Sequence, residues 1–281
     1  MPTNSNFVFF GSFHISAEIL EHTIAGGCMP SLVVCSPDRL AGRKQAVTAP
    51  AVKQLILEKR WPIKILQPEK PTDIIPQLVA LQADFFVVMG YPHILPEVIV
   101  NMPRLGTIGV HPSLLPKYRG ASPMQSVLLA GEKTTGVTLY AMDAKMDHGP
   151  ILATCEFEIE PEATNIWLGH KAATEAGRLL AQTIPFFVTG QIKPRLQDHA
   201  QATFTKKFTT ADGQVDMTDA TDNGQLTTYR KIKAFNPEPG VWTMNYPSRV
   251  GIRVKLLAAT WHDGRLRVRE IQPDGKKPFT V

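Results

Sequence analysis

Short, wholly apolar, β-prone runs that stop at Gly or Pro punctuate this chain, and they constrain its fold more than any other feature. Residues 7–10 read FVFF and meet Gly11, residues 32–35 read LVVC, and residues 85–89 read FFVVM before Gly90 and Pro92. A strand that is apolar on both faces belongs in the middle of a parallel sheet covered on both sides. Residues 15–25 read as a helix with Ser12 or Ser16 near its start, and residues 163–189 as a long helix covering the sheet. The expected class is therefore α/β, with a mostly parallel, open, Rossmann-like sheet. The first strand–helix turn holds one glycine, so the G-x-G-x-x-G pattern that lets a backbone approach a dinucleotide pyrophosphate is missing.

Two further runs carry polar groups. Residues 106–111 read GTIGVH, and Pro112, Pro116 and Gly120 then forbid a regular helix, which places His111 where a strand meets a loop. Residues 136–142 read GVTLYAM and lead into Asp143, Asp147 and His148, so Asp147 also follows a strand. Ligands of open α/β sheets bind outside the carboxyl ends of the strands, and two adjacent strands would bring His111 and Asp147 together there. A carboxylate beside the imidazole would hold it charged and fix its tautomer. On spacing alone, a hydrogen-bonded structural histidine is the commoner outcome.

Other chemistries find less support. Residues 131–134 read GEKT, where Glu132 interrupts the Gly-Lys step of a phosphate loop, and no G-x-S-x-G elbow occurs. Asp143, Asp147, His111 and His148 lack the helical spacing of a zinc site, so no metal is expected. Cys28, Cys35 and Cys155 form no C-x-x-C pair and read as buried, reduced thiols. With no apolar run near 18 residues and no leader pattern, the expectation is a soluble cytoplasmic protein with no membrane contact.

The string HPSLLPKYRGASPMQ followed by GVTLYAMDAKMDHGPIL resembles the signature of the folate-dependent formyltransferases. The resemblance implies formyl transfer from 10-formyltetrahydrofolate to an amine. In that chemistry the amine attacks the formyl carbon and a tetrahedral oxyanion forms. An Asn and a protonated His donate to the oxyanion, while an Asp keeps the His charged and assists proton transfer through water. His111 and Asp147 match the last two positions, whereas Gly109 stands where the family has Asn. Losing one oxyanion donor costs on the order of a hundredfold to a thousandfold in turnover, so restoring Asn at 109 is expected to raise the rate if that donor matters. By the same resemblance a pterin slot is formed by Met89, Gly90, Tyr91, Pro92, Ile94 and Leu95, by the loop after 141 with Asp143, and by Ser113, Leu114, Leu115 and Pro116.

Other stretches resemble the methionyl-tRNA branch of that family. The loop PDRLAGRK implies RNA contact by Arg39, Arg43 and Lys44, and Lys206 and Lys207 match a further RNA-contacting position. RKIKAFNPEPG at 230–240 and IQPDGKK at 271–277 resemble parts of a C-terminal tRNA-binding domain. The expected layout is a catalytic domain over residues 1–196, a linker near 197–207, and a small OB-like β-barrel over 204–281. That barrel is expected to be shortened, because residues 241–243, 252–260 and 266–271 supply only about three strand signals. Residues 201–281 hold 13 Lys or Arg against 8 Asp or Glu, while residues 1–200 hold 17 of each, so the whole excess of +5 lies C-terminally. A basic appendage suits RNA, although charge alone also fits a solvated surface. The resemblance implies an enzyme, expected as a monomer, whose partner is initiator methionyl-tRNA. An amino-sugar-nucleotide formyltransferase, or a folate- or tRNA-binding protein weakened by Gly109, are the alternatives.

Overall fold

The computed structural model describes residues 5–41 and 46–281. Seven strands form one sheet in the order Ile151–Glu158, Thr134–Ala141, Thr107–His111, Phe85–Val88, Phe7–Phe10, Leu32–Val34, Lys64–Leu66. The pairs at the five-strand end are parallel, and every residue of Phe7–Phe10 is fully buried, as a two-face apolar run requires. Phe7 stacks on Phe85 with ring centroids 5.0 Å apart, and Phe10 tilts against Phe86 at 5.4 Å.

The helix His14–Ala25 follows the first strand, yet neither nearby serine caps it, since Phe13 occupies the N-cap. Ser16 is instead buried and donates to the Met89 carbonyl at 2.7 Å, which ties this helix to the loop after Phe85–Val88. The long helix Asn165–Val188 buries Ala172, Ala173, Ala176, Leu180 and Ile184, and Phe187 meets Phe85 edge-on at 5.5 Å. A Cβ on Gly177 would lie 2.4 Å from the Cβ of His22, so glycine permits the close approach of the two helices.

One compact unit comprises the described residues up to Arg119 together with Gly136–Glu156 and His170–Ala202; the other comprises Gly120–Thr135, Phe157–Gly169 and Thr203–Val281. The second unit contains the helix Asp222–Phe235 and a four-stranded sheet, Trp242–Tyr246, Arg249–His262, Arg265–Pro273 and Phe279–Thr280. Its strands pair antiparallel throughout, with bulges near Asn245 and Ala258. The helix was not expected from the sequence, and the sheet has one strand more than the three signals.

Residues 39–41 are a strand and not a simple loop. Arg39–Ala41 pairs antiparallel with Ala46–Thr48, Leu40 opposite Val47. Cys28 and Cys35 are buried, but Cys155 is only partly so, since its strand lies at the edge of the sheet. No helix among the described residues is long and apolar enough to cross a membrane.

Candidate active site

His111 ends the strand Thr107–His111 and is 5% exposed. Its Nε2 lies 2.9 Å from the Tyr118 carbonyl, which can only accept, so Nε2 carries a hydrogen. Its Nδ1 lies 3.7 Å from Asp147 Oδ2, too far for a hydrogen bond and near enough for charge stabilisation. Both ring nitrogens thus face oxygen atoms. The loop that supplies the Tyr118 carbonyl is pinned: Leu115 N donates to Thr138 Oγ1 at 3.1 Å, Thr138 Oγ1 donates to the Ser113 carbonyl at 2.7 Å, and Ser113 Oγ donates to the Lys117 carbonyl at 2.7 Å.

Asp147 reaches His111 by a route the sequence did not indicate. Thr134–Ala141 runs antiparallel to Thr107–His111, with Ala141 opposite Ile108 and Thr138 opposite His111. The two carboxyl ends therefore lie at opposite ends of the strand pair, so the two side chains meet as expected but not by projecting from one end. Residues 142–150 instead form a loop that folds back towards His111. Its neck is closed by Ala141 N donating to the Pro150 carbonyl at 2.8 Å, where a Cβ on Gly149 would meet the Ala141 oxygen at 1.8 Å. Asp147 sits in the left-handed region at φ 51°.

The fold adds residues that the sequence reading passed over. Gln197 Nε2 donates to the carbonyls of Asp147 at 3.0 Å and Gly149 at 2.7 Å, holding the back of the loop. Its Oε1 accepts from buried Arg119 at 2.6 Å, and Arg119 also bonds His199 Nδ1 at 2.9 Å. His199 stacks on His148 at 4.1 Å, and His148 Nδ1 meets Asp143 Oδ2 at 2.7 Å. Burial, then the nearby His148 and Arg119, push the His199 imidazole below its usual range. Among the described residues no group of three or more His, Cys, Asp or Glu side chains is placed to share a metal ion.

Gly109 pairs directly with Tyr140 across the antiparallel strands. A Cβ there would lie 2.4 Å from the Tyr140 ring, so an Asn side chain at 109 has no room while Tyr140 keeps this position. Tyr140 Oη donates to Asp147 Oδ1 at 2.9 Å.

Of the residues expected to line a slot, Met89 to Leu95 follow the strand Phe85–Val88, which pairs with Thr107–His111. Met89 and Leu95 are buried, Gly90 takes a positive φ of 60°, and Ile94 is 95% exposed. Tyr91 packs edge-on to Phe10 at 5.6 Å, and Met142 of the other loop packs into the same apolar cluster as Tyr91 and Leu95. The Tyr91 hydroxyl is buried with no partner among the described residues, and burial, then the Cys35 thiol, push its pKa up to about 12.

The formyl transferase family model matches residues 5–184. A methionyl-tRNA formyltransferase of Chloroflexus aurantiacus is 38% identical over 238 residues, which is 84% of this chain and 75% of that protein. The chain belongs to the formyl transferase family. Solved structures with the same fold include the methionyl-tRNA formyltransferase from Clostridium thermocellum, with a TM-score of 0.60 and 13% identity over 96% of this chain and 98% of that one. HypX from Aquifex aeolicus in complex with tetrahydrofolic acid gives a TM-score of 0.68 at 14% identity; it matches 99% of this chain, which spans only 46% of HypX.

The residues expected to touch RNA are spread over the formyltransferase chain. Arg39 is exposed and ion-paired with Glu69, and Arg43 and Lys44 lie outside the described residues. Lys206 pairs with Asp212, whose carboxyl this pairing and the Thr209 hydrogen bonds hold far below the usual range, and Lys207 is exposed. In the second unit the two C-terminal stretches meet at one cleft of about 500 Å³, lined by Lys233, Asn236 and Pro237 from the first and Gln272 from the second. Trp242 and Arg253 also line it, with the guanidinium 4.3 Å from the indole ring.

Proposed function

We propose that this formyltransferase moves the formyl group of 10-formyltetrahydrofolate to the α-amine of initiator methionyl-tRNA, acting as a cytoplasmic monomer in translation initiation. The observation that carries the reading is the His111 ring, buried and bracketed by the Tyr118 carbonyl and the Asp147 carboxylate, in a chain 38% identical to a methionyl-tRNA formyltransferase.

The folate supplies an activated one-carbon group when bound. Met89, Gly90, Tyr91, Pro92, Ile94, Leu95, Ser113, Leu114, Leu115, Pro116 and Asp143 are the residues proposed to hold it. The unpartnered, buried Tyr91 hydroxyl fits a flat heterocycle that brings its own polar atoms, in a pocket otherwise apolar. The charged His111 ring stabilises negative charge that develops on an oxygen beside it, and Asp147 balances the ring charge and assists removal of the amine proton. A division into catalytic residues 1–196 and RNA-binding residues 204–281 belongs to the same proposal, with the C-terminal cleft and Arg39, Arg43, Lys44, Lys206 and Lys207 as phosphate and base contacts.

Acceptor choice is tested by supplying 10-formyltetrahydrofolate with either initiator methionyl-tRNA or an amino-sugar nucleotide. Formylation of the tRNA alone is expected; formylation of the sugar nucleotide alone would overturn the assignment.

A further inference from the structure

Gly109 and Tyr140 exclude each other's alternatives. They are direct cross-strand partners, and a Cβ at 109 would stand 2.4 Å from Tyr140 Cε1 and Cζ and 2.7 Å from its Oη. These distances are far inside van der Waals contact, and the ring has little freedom to retreat, because it packs with Leu115 and Ile151 and is 6% exposed. The phenol therefore fills the volume that a side chain at 109 would need. Its hydroxyl ends at the reacting centre, donating to Asp147 Oδ1 at 2.9 Å, while the other carboxylate oxygen is the one facing His111 Nδ1.

We propose that Tyr140 is a positioning residue of the formyl-transfer site: its phenol takes the place of a polar side chain at 109 and fixes the carboxylate of Asp147 so that Oδ2 addresses His111. This inference rests on the proposed role of the His111–Asp147 pair. Burial, then the charge of Asp147, hold the phenol well above its ordinary pKa, so it stays a donor across physiological pH.

Tyr140→Phe removes the hydroxyl and keeps the ring. With a hydrogen bond to a charged group lost, kcat is expected to fall about tenfold to a hundredfold while KM for 10-formyltetrahydrofolate stays within about twofold. An unchanged kcat would overturn the proposal, and so would a loss carried wholly by KM, because either result means the phenol only packs. Gly109→Asn alone is expected to lower the melting temperature and the activity, and Gly109→Asn combined with Tyr140→Ala to recover at least about tenfold of the activity lost by the single variant. A Gly109→Asn protein as stable as the parent would contradict the exclusion. Two readouts survive even if the parent protein transfers no formyl group, an outcome that would sink the proposed function instead. One is the melting-temperature cycle over 109 and 140. The other is the His111 side-chain ¹⁵N resonance, which Tyr140→Phe should shift; an unmoved resonance counts against the clamp.

Discussion

At the scale of single residues, the site depends on a few short-range contacts whose removal has a calculable effect. His111→Ala takes away the imidazole and Asp147→Ala the carboxylate beside it, and each variant is expected to lose on the order of a hundredfold to a thousandfold in single-turnover rate while remaining folded by circular dichroism. Full activity in both would show that the chemistry lies elsewhere. Gly149→Ala attacks the loop neck instead: the added Cβ would meet the Ala141 carbonyl oxygen at 1.8 Å, and backbone cannot yield as a side-chain tip does. A stability loss of about 2 kcal/mol, together with reduced activity, is expected from thermal melts and assays. How much of this site the sequence disclosed follows from contiguity. His111 and Asp147 each lie inside a long recognisable string, whereas Tyr140 reads as an ordinary strand aromatic. Gln197, which holds the carbonyls of Asp147 and Gly149 from about fifty residues away, leaves no local mark at all.

Secondary-structure elements were legible in proportion to how completely burial dictates their composition. FVFF and FFVV could hardly be anything other than central strands, and both are. Strand direction is another matter: GVTLYAM carries no sign of running against its neighbour, and that reversal decides how Asp147 travels to His111. The helix Asp222–Phe235 was missed because Asn, Gly and two Thr lower its intrinsic propensity, and its stability comes from burying Thr228, Tyr229, Ile232 and Phe235. Its start is marked only by Thr221, whose side chain accepts from Gly224 N at 3.1 Å. Thr221→Ala is expected to destabilise the unit by about 1 kcal/mol, read as a drop of a few degrees in its melting transition, and an unchanged transition would show the cap to be idle.

For the whole molecule, charge distribution and buried phenols make separate predictions. Because the net +5 is confined to residues 201–281, KM for tRNA is expected to rise steeply with salt while KM for the folate barely changes; parallel responses would deny the C-terminal part a phosphate-binding role. Tyr91 and Tyr140 keep their protons in the folded chain above the ordinary value of 10, Tyr91 up to about 12, whereas the unfolded chain releases them there. The unfolded state then binds fewer protons, so stability should fall as pH rises from about 10 through about 12, seen as declining denaturation midpoints across that window. The most direct test of the account is single-turnover transfer of labelled formyl from 10-formyltetrahydrofolate to initiator methionyl-tRNA, with elongator methionyl-tRNA as control. Rapid labelling of the initiator alone is the predicted result. Folate and tRNA binding with no label transferred would contradict it.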